Sequence, residues 1–231
     1  GLIGQVSVGK STILNSIIGE YISKTERKRT TLIPFKFTHN IDTKTDIKEL
    51  NEKINNLNNS EENISIKNFE LSYFWIKNSK YNFSIIDFPG LNDPHEENGK
   101  MENLLIDNID NIDYLFYIID SDKCLNNKYE RNFLDDLFKN ISKNENFIEI
   151  VIIFNKYEEE DKELDDLIFE SIEYINSLSE KYNLYQCKIF KLSGIKLMVK
   201  NIISNKNNNK HISGEKYNIS IPNNIITKVF N

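Results

Sequence analysis

The residues of this chain most suited to chemistry lie close to its first residue, in a glycine-containing stretch that ends in lysine and serine. Residues 4–11 read Gly-Gln-Val-Ser-Val-Gly-Lys-Ser, which matches G-x-x-x-x-G-K-[ST]. In this pattern backbone N–H groups surround a polyphosphate, the lysine reaches the β- and γ-phosphate oxygens, and the hydroxyl ligates Mg²⁺. We therefore predict a phosphate-binding loop made of Gly4, Gln5, Val6, Ser7, Val8, Gly9, Lys10, Ser11 and Thr12.

A second motif, Asp87-Phe-Pro-Gly90, follows the apolar run at 83–86. In nucleotide switches an aspartate at this place holds Mg²⁺ through water, and the glycine N–H senses the γ-phosphate. An ordinary Pro-Gly turn is the alternative interpretation. Together with the phosphate loop, this motif predicts a magnesium site that includes Ser11 and Asp87.

A third motif, Asn155-Lys156-Tyr157-Glu158, follows the strongest predicted strand and resembles the N/T-K-x-D base-recognition motif of GTPases. The resemblance implies that Asn155 ties this segment to the phosphate loop, that the Lys156 stem lies along the guanine face, and that Glu158 accepts hydrogen bonds from guanine. Glu158 stands where aspartate is usual, and Asp161 is the alternative carboxylate. A polar strand-to-helix turn is the other interpretation, and an ATPase follows if no carboxylate selects guanine.

Two further segments support a nucleotide site mainly because of their positions relative to the three motifs. Lys191-Leu-Ser-Gly194 resembles the short loop that backs the base in GTPases, which adds Ser193 and Gly194 to the predicted nucleotide site. Between the phosphate loop and Asp87 a switch threonine is needed, and the candidates are Thr25, Thr30 and Thr31.

These motifs resemble those of the dynamin superfamily of large GTPases. Ser7, Gly9, Lys10, Ser11 and Thr12 match its G-x-x-S-x-G-K-S-[ST] loop. Thr31-Leu-Ile-Pro34 matches its T-x-x-P motif, and the long interval between Lys10 and Asp87 also suits it. The resemblance covers roughly residues 1–204 and identifies Thr31 as the switch threonine.

What the resemblance implies is a Mg²⁺-dependent GTPase that binds GTP and GDP and self-associates through its nucleotide face. The catalytic residues would be Ser7, Lys10 and Thr31, and the metal would be held by Ser11, Thr31 and Asp87. Gln5 is a second candidate for positioning water, because Leu91 occupies the place where small GTPases carry a water-orienting residue. With Val6 in the loop and Leu91 expected to face it, we expect slow hydrolysis by the monomer and stimulation by self-association.

Alternating strand-like and helix-like segments predict an α/β fold with a mainly parallel sheet covered on both faces, and the resemblance implies the three-layer P-loop GTPase domain. We place this domain at 1–204, with a helix and loop insertion at 44–67 between the two switch segments, and a flexible segment at 205–231. Strands are predicted at 83–86, 113–119, 148–154 and 187–192, helices at 46–58, 100–110, 128–142, 164–182 and 194–204, and a hairpin from 69–76 and 81–86.

Composition excludes several function classes. A net charge of −6 over 231 residues gives no general attraction to nucleic acid. The two cysteines suggest neither a redox pair nor a metal cluster, and no signal-peptide pattern opens the chain. We therefore expect a cytoplasmic protein, or a peripheral membrane protein whose lipid contact is made by parts outside this chain. The absence of an initial methionine suggests a piece of a longer protein.

Three functions follow as alternatives to the self-assembling GTPase. The first is a nucleotide-binding switch or scaffold with little hydrolysis. The second is a septin-like or immunity-type GTPase, and the third is an ATPase.

Overall fold

The computed structural model describes residues 1–19, 22, 33–40, 46–58, 65–71, 83–91, 100–158, 162–198 and 200–201. The strands in these ranges are β1 (Leu2–Ile3), β2 (Phe35–His39), β3 (Lys67–Leu71), β4 (Ser84–Asp87), β5 (Tyr114–Asp120), β6 (Glu149–Asn155) and β7 (Lys188–Leu192). The helices are α1 (Lys10–Ile18), α2 (Ile47–Asn58), α3 (Lys100–Asp107), α4 (Lys128–Ile141) and α5 (Lys162–Lys181). A single 3₁₀ turn covers Ile109–Asn111, and helical residues also occur at 194–198 and 200–201.

The described strands form one sheet in the order β3-β2-β4-β1-β5-β6-β7. Its pairs are parallel, apart from β2 with β4. The short strand β1 lies in the centre of the sheet, and both of its residues, Leu2 and Ile3, are buried. The α/β fold with a mainly parallel sheet is confirmed.

Helices cover both faces of this sheet, because alternate residues of each strand are apolar on opposite sides. On one face α1 and α2 pack against residues such as Leu2, Phe37 and Ile118. On the other face α3, α4 and α5 pack against neighbours of these residues, including Ile3 and Ile119. The predicted three-layer arrangement is confirmed.

The central strands and the long helices agree with the sequence to within about two residues at most ends. The 44–67 region contains α2 as predicted, and its buried Leu50 and Ile54 belong to the core cluster on the α1 face. Helical residues at 194–198 and 200–201 agree with the beginning of the predicted 194–204 helix, whereas 205–231 lies outside the described residues. None of the described helices is long and apolar enough to cross a membrane.

The predicted hairpin between 69–76 and 81–86 is wrong in its pairing. Strand β3 pairs in parallel with β2, and β4 pairs with the other edge of β2 in the antiparallel sense, so β2 separates the two strands. Residues 72–82 lie outside the described ranges. The missed strand β2 reads Phe-Lys-Phe-Thr-His, an alternation of period two that was available in the sequence. Its rings pack on Phe69 with centroid separations of 5.7 and 5.9 Å, which favours the parallel pairing.

Candidate functional site

The predicted phosphate loop connects the end of β1 to the start of α1, and its backbone requires glycine at two places. Gly4 and Gly9 have φ angles of 147° and 94°, and Ser7 also lies in the left-handed region at 66°. A Cβ on Gly4 would lie 2.3 Å from the Ile118 carbonyl oxygen, and one on Gly9 would lie 2.3 Å from Asn155 Nδ2. The loop is therefore wedged between neighbouring strand ends, with no room for side chains at these two positions.

Lys10 is the first residue of α1, and its side chain folds back onto the loop. Its Nζ donates to the carbonyl oxygens of Gly4 at 3.0 Å and Gln5 at 2.8 Å, and the residue is only 7% exposed. Burial lowers the pKa of Lys10 to about 8, while the nearby Asp87 carboxylate acts in the opposite direction. A cation of reduced basicity is thus held at the phosphate loop beside the predicted metal ligand.

The segment that contains the second motif lies directly against this loop. Asp87 is the last residue of β4 and is buried. The Leu91 N–H donates to the Gly4 carbonyl oxygen at 3.1 Å, and Leu91 also forms an isolated parallel bridge with Gln5. A Cβ on Gly90 would lie 2.6 Å from Val6 Cγ2, so Val6 packs on the backbone of Gly90. The two motifs are therefore in contact.

The expectation that the Leu91 side chain faces the phosphate loop is wrong. Leu91 is 2% exposed, and its side chain belongs to the core cluster that includes Ile3, Phe88 and Ile119. Its backbone contacts the loop at Gly4 and Gln5. The position is apolar because it enters the core, which is a packing requirement.

Asn155 joins three segments of the site. Its Nδ2 donates to the Val8 carbonyl oxygen at 2.8 Å, and its Oδ1 accepts the Gly194 N–H at 2.7 Å. Gly194 is buried, and a Cβ there would lie 2.9 Å from both Asn155 Oδ1 and Ile13 Cδ1. Ser193 precedes it, and its carbonyl oxygen accepts the Leu197 N–H at 3.0 Å. The base motif, the phosphate loop and the last loop thus meet at one side chain.

The three remaining residues of the base motif differ in their contacts and exposure. Lys156 has a φ of 65°, and its Nζ lies 2.6 Å from Oδ2 of the buried Asp120. Glu158 is exposed, and the alternative carboxylate Asp161 lies outside the described residues. Tyr157, which lies between Lys156 and Glu158 in the chain, has its ring under the Lys191 ammonium, and the Lys191 Nζ is 5.1 Å from the ring centroid.

Most of the predicted site residues therefore lie at one end of the central strands, where the carboxyl ends of parallel strands meet. Ser11 and Thr12 are partly buried in the first turn of α1. Thr31 and the two other candidate threonines lie outside the described residues. The sequence reasoning missed Asp120, although a polar residue at the end of the apolar run at 114–119 is a usable signal.

The donor set at the loop agrees with Mg²⁺. Ser11 follows Lys10 on α1, and Asp87 is close enough to Lys10 to influence its pKa. A hydroxyl and a carboxylate are the oxygen ligands that this ion prefers. Within the described part of the chain, no group of three or more His, Cys, Asp and Glu side chains is arranged to hold a metal. The assignment of Mg²⁺ to this site therefore rests on Ser11 and Asp87.

Comparison with solved structures shows proteins of the same fold. Two solved structures, both described as an oligomerised bacterial dynamin pair that provides a mechanism for long-range sensing and tethering of membranes, share the fold. One is 17% identical with a TM-score of 0.57 and covers 99% of this chain and 36% of its own. The other is 19% identical with a TM-score of 0.54 and covers 85% of this chain and 39% of its own. The chain therefore spans little more than a third of these two proteins.

No curated protein sequence matches the chain. The sequence profile described as the dynamin family matches residues 1–157. Because this match covers more than half of the chain, and the fold agrees with it, the chain belongs to the dynamin family.

Proposed function

We propose that this chain is a GTP-binding and GTP-hydrolysing domain that transfers the γ-phosphoryl group to water in a Mg²⁺-dependent reaction coupled to self-association. The observation that carries the proposal is the pair of hydrogen bonds by which Asn155 joins the phosphate loop to the loop at 194. The Asn155 side chain holds the proposed phosphate-binding segment next to the proposed base-binding segment, so that one nucleotide can contact both. The proposed ligands are GTP and GDP, and the proposed partner is a second copy of the chain.

Phosphate binding is assigned to the loop and to Lys10. An ammonium group has three N–H donors, and two of those on Lys10 are directed at loop carbonyl oxygens. The group is therefore held in place before a phosphate arrives, so that little reorganisation accompanies binding. Ser11, Asp87 and Thr31 would hold Mg²⁺, which would supply positive charge to neutralise the bound phosphates.

Base recognition is assigned to the residues that follow β6. The Lys156 stem would form one face of the base site, and Glu158 would accept the guanine N–H donors. Glu158 is exposed, which leaves its longer side chain free to reach a bound base. A carboxylate there favours guanine because adenine would leave its acceptors unpaired.

Hydrolysis requires a group that positions water, and the two candidates differ in exposure. Ser7 is exposed at the tip of the loop, in a left-handed backbone conformation. The Gln5 side chain has a buried Nε2 with no acceptor in the described part of the chain. We therefore assign water positioning to Ser7. Since Leu91 is in the core and Val6 packs on Gly90, the monomer should be slow, and self-association across the nucleotide face should complete the site.

Calorimetry and phosphate release test this proposal. We expect GDP to bind about 100-fold more tightly than ADP in the presence of Mg²⁺, and turnover of GTP per molecule to rise with protein concentration. Ser7→Ala should lower turnover about tenfold while leaving GDP affinity unchanged. The matched control Ser142→Ala, whose hydroxyl donates to the Lys139 carbonyl oxygen at the end of α4, should change neither quantity. Equal affinity for ADP and GDP would contradict the proposal.

A second function, a nucleotide-dependent switch with little hydrolysis, is favoured by one observation. Val6 packs against Gly90 and Leu91 packs in the core, so neither side chain can orient a water molecule for hydrolysis. The same experiment separates the two functions, because a switch binds GTP tightly while turnover per molecule stays near zero at every protein concentration.

A further inference from the structure

A buried carboxylate lies at the end of β5, next to the proposed base site. Asp120 is the last residue of this strand, its Cα is in register with that of Asn155, and the residue is 5% exposed. Its Oδ1 accepts the Asp122 N–H at 3.2 Å. Its carbonyl oxygen accepts the N–H groups of Lys123 and Cys124 at 3.0 and 2.9 Å. The turn at 120–124 therefore fixes the position of the carboxylate.

The second carboxylate oxygen of Asp120 is directed at Lys156. The distance from Oδ2 to Nζ is 2.6 Å, and the Lys156 side chain is still 43% exposed. Lys156 adopts a left-handed backbone conformation, which is uncommon for a residue with a side chain and is maintained by the structure around it. The Lys156 side chain is thus held at its ammonium end, while part of its aliphatic stem remains exposed and can contact a ligand.

This pair differs from the surface ion pairs of the same chain. In the pair Lys53–Glu49 both side chains are about 60% exposed, and such pairs hold neither partner firmly. A buried carboxylate needs a cation close to it, so Asp120 restricts Lys156 to one orientation. Because the Lys156 side chain is already ordered before a ligand binds, binding costs little additional side-chain conformational entropy.

We propose that Asp120 is a positioning residue for base recognition, which holds the Lys156 ammonium so that the lysine stem forms a fixed face of the base site. The inference rests on the proposed function, since it assigns the base site to Lys156. The pairing uses one of the three N–H donors of the ammonium, and an ammonium accepts no hydrogen bonds, so the N–H donors of the base are left to a carboxylate acceptor. The ligand class is a nucleotide whose flat base lies on the stem and offers N–H donors.

A double-mutant cycle on the full chain tests this inference. The variants are Asp120→Asn, Lys156→Met and the two combined, with calorimetric titration of GDP, ADP and pyrophosphate in the presence of Mg²⁺. The matched control is Asp135→Asn, which breaks a pair of the same length between Asp135 Oδ1 and Lys181 Nζ on α4 and α5.

We expect Asp120→Asn to weaken GDP binding about tenfold and to change pyrophosphate binding less than about twofold. In the Lys156→Met background the same change should alter GDP affinity less than about twofold, because the group through which Asp120 acts is already absent. Asp135→Asn should leave all three affinities unchanged. If Asp120→Asn does not fold, Asp120→Glu displaces the ammonium while keeping the charge, and we expect about a threefold loss for GDP and none for pyrophosphate.

Several outcomes overturn the inference. These are an unchanged GDP affinity in Asp120→Asn and Asp120→Glu, equal losses for GDP and pyrophosphate, and full additivity with Lys156→Met. A wild-type chain that binds GDP and ADP equally would overturn the proposed base recognition and this inference together. A wild-type chain that prefers GDP, together with an unchanged GDP affinity in Asp120→Asn and Asp120→Glu, overturns the inference alone.

Discussion

Asn155 and Val8 are 147 positions apart in the chain, yet the Asn155 Nδ2 donates to the Val8 carbonyl oxygen at 2.8 Å. The other atom of the same amide, Oδ1, accepts the Gly194 N–H. Asn155 is 2% exposed, so both bonds are shielded from water. One buried amide thus determines how the phosphate loop, the end of β6 and the last loop are arranged relative to one another.

Replacing this amide tests its importance. Asn155→Ala leaves the Val8 carbonyl and the Gly194 N–H without their partner, and we expect the free energy of unfolding to fall by about 2 kcal/mol. GDP affinity should fall at least about tenfold, because the phosphate and base segments are no longer joined. Urea unfolding and calorimetry measure the two effects. Asn140→Ala, whose amide donates to the Asp136 carbonyl oxygen within α4, is the control, and an equal loss there would contradict the assignment.

The lowered pKa of Lys10 predicts how phosphate binding depends on pH. Burial brings the pKa of Lys10 to about 8, below its ordinary value of 10.5. The free chain therefore loses this proton as the pH rises through about 8, and pyrophosphate affinity should decline between roughly pH 7 and 9. Calorimetry across this range measures the decline.

Lys10→Arg is the control for that experiment. Arginine keeps its charge throughout the range, so its pyrophosphate affinity, although weaker, should stay nearly constant. The same decline in Lys10→Arg would show that another group is responsible.

The contact between Gly90 and Val6 predicts an effect of a single methyl group. A Cβ at position 90 would lie 2.6 Å from Val6 Cγ2 and 2.9 Å from Val6 Cα, so Gly90→Ala must displace the phosphate loop or the segment at 87–91. We expect a loss of about 1–3 kcal/mol in stability and a weaker affinity for pyrophosphate. Val6→Ala combined with Gly90→Ala should recover part of both losses, because one of the two close contacts is removed. Pyrophosphate binding by Gly90→Ala that equals wild type would contradict the contact.

Glu130 predicts a pH dependence of stability away from the site. This residue is buried in the first turn of α4, and its Oε1 accepts the Tyr117 hydroxyl at 3.0 Å. Burial raises the pKa of Glu130 to about 7, above its ordinary value of 4.5. The folded chain keeps a proton that the unfolded chain loses, so this contribution to stability is present below about pH 4.5 and is lost as the pH rises through about 7.

Glu130→Gln should therefore raise the free energy of unfolding at pH 8 by about 2 kcal/mol and remove this part of the pH dependence. Urea unfolding at several pH values measures both effects. Asp136→Asn, on the exposed side of α4, is the matched control and should leave the dependence in place. A pH profile unchanged in Glu130→Gln would contradict the assignment.

The parts of the molecule that local patterns determine were predictable from sequence. The loop at 4–12, the motif at 87–90 and the strands at 113–119 and 148–154 each carry their signal in consecutive residues, since turn chemistry and apolar runs are local properties.

Only the tertiary structure decided which segments are neighbours and which atoms meet. Whether β4 pairs with β3 or with β2 depends on competition between distant strands, and the rings of Phe35, Phe37 and Phe69 favour the arrangement that was missed. The side chain of Leu91 points into the core because burial there removes apolar surface from water. The position of Leu91 after Gly90 in the sequence did not indicate this orientation. The pairing of Asp120 with Lys156 likewise joins the ends of two neighbouring strands, 36 positions apart. Residue types were enough to predict the phosphate loop, but the packing of the sheet determined the side chains that position it.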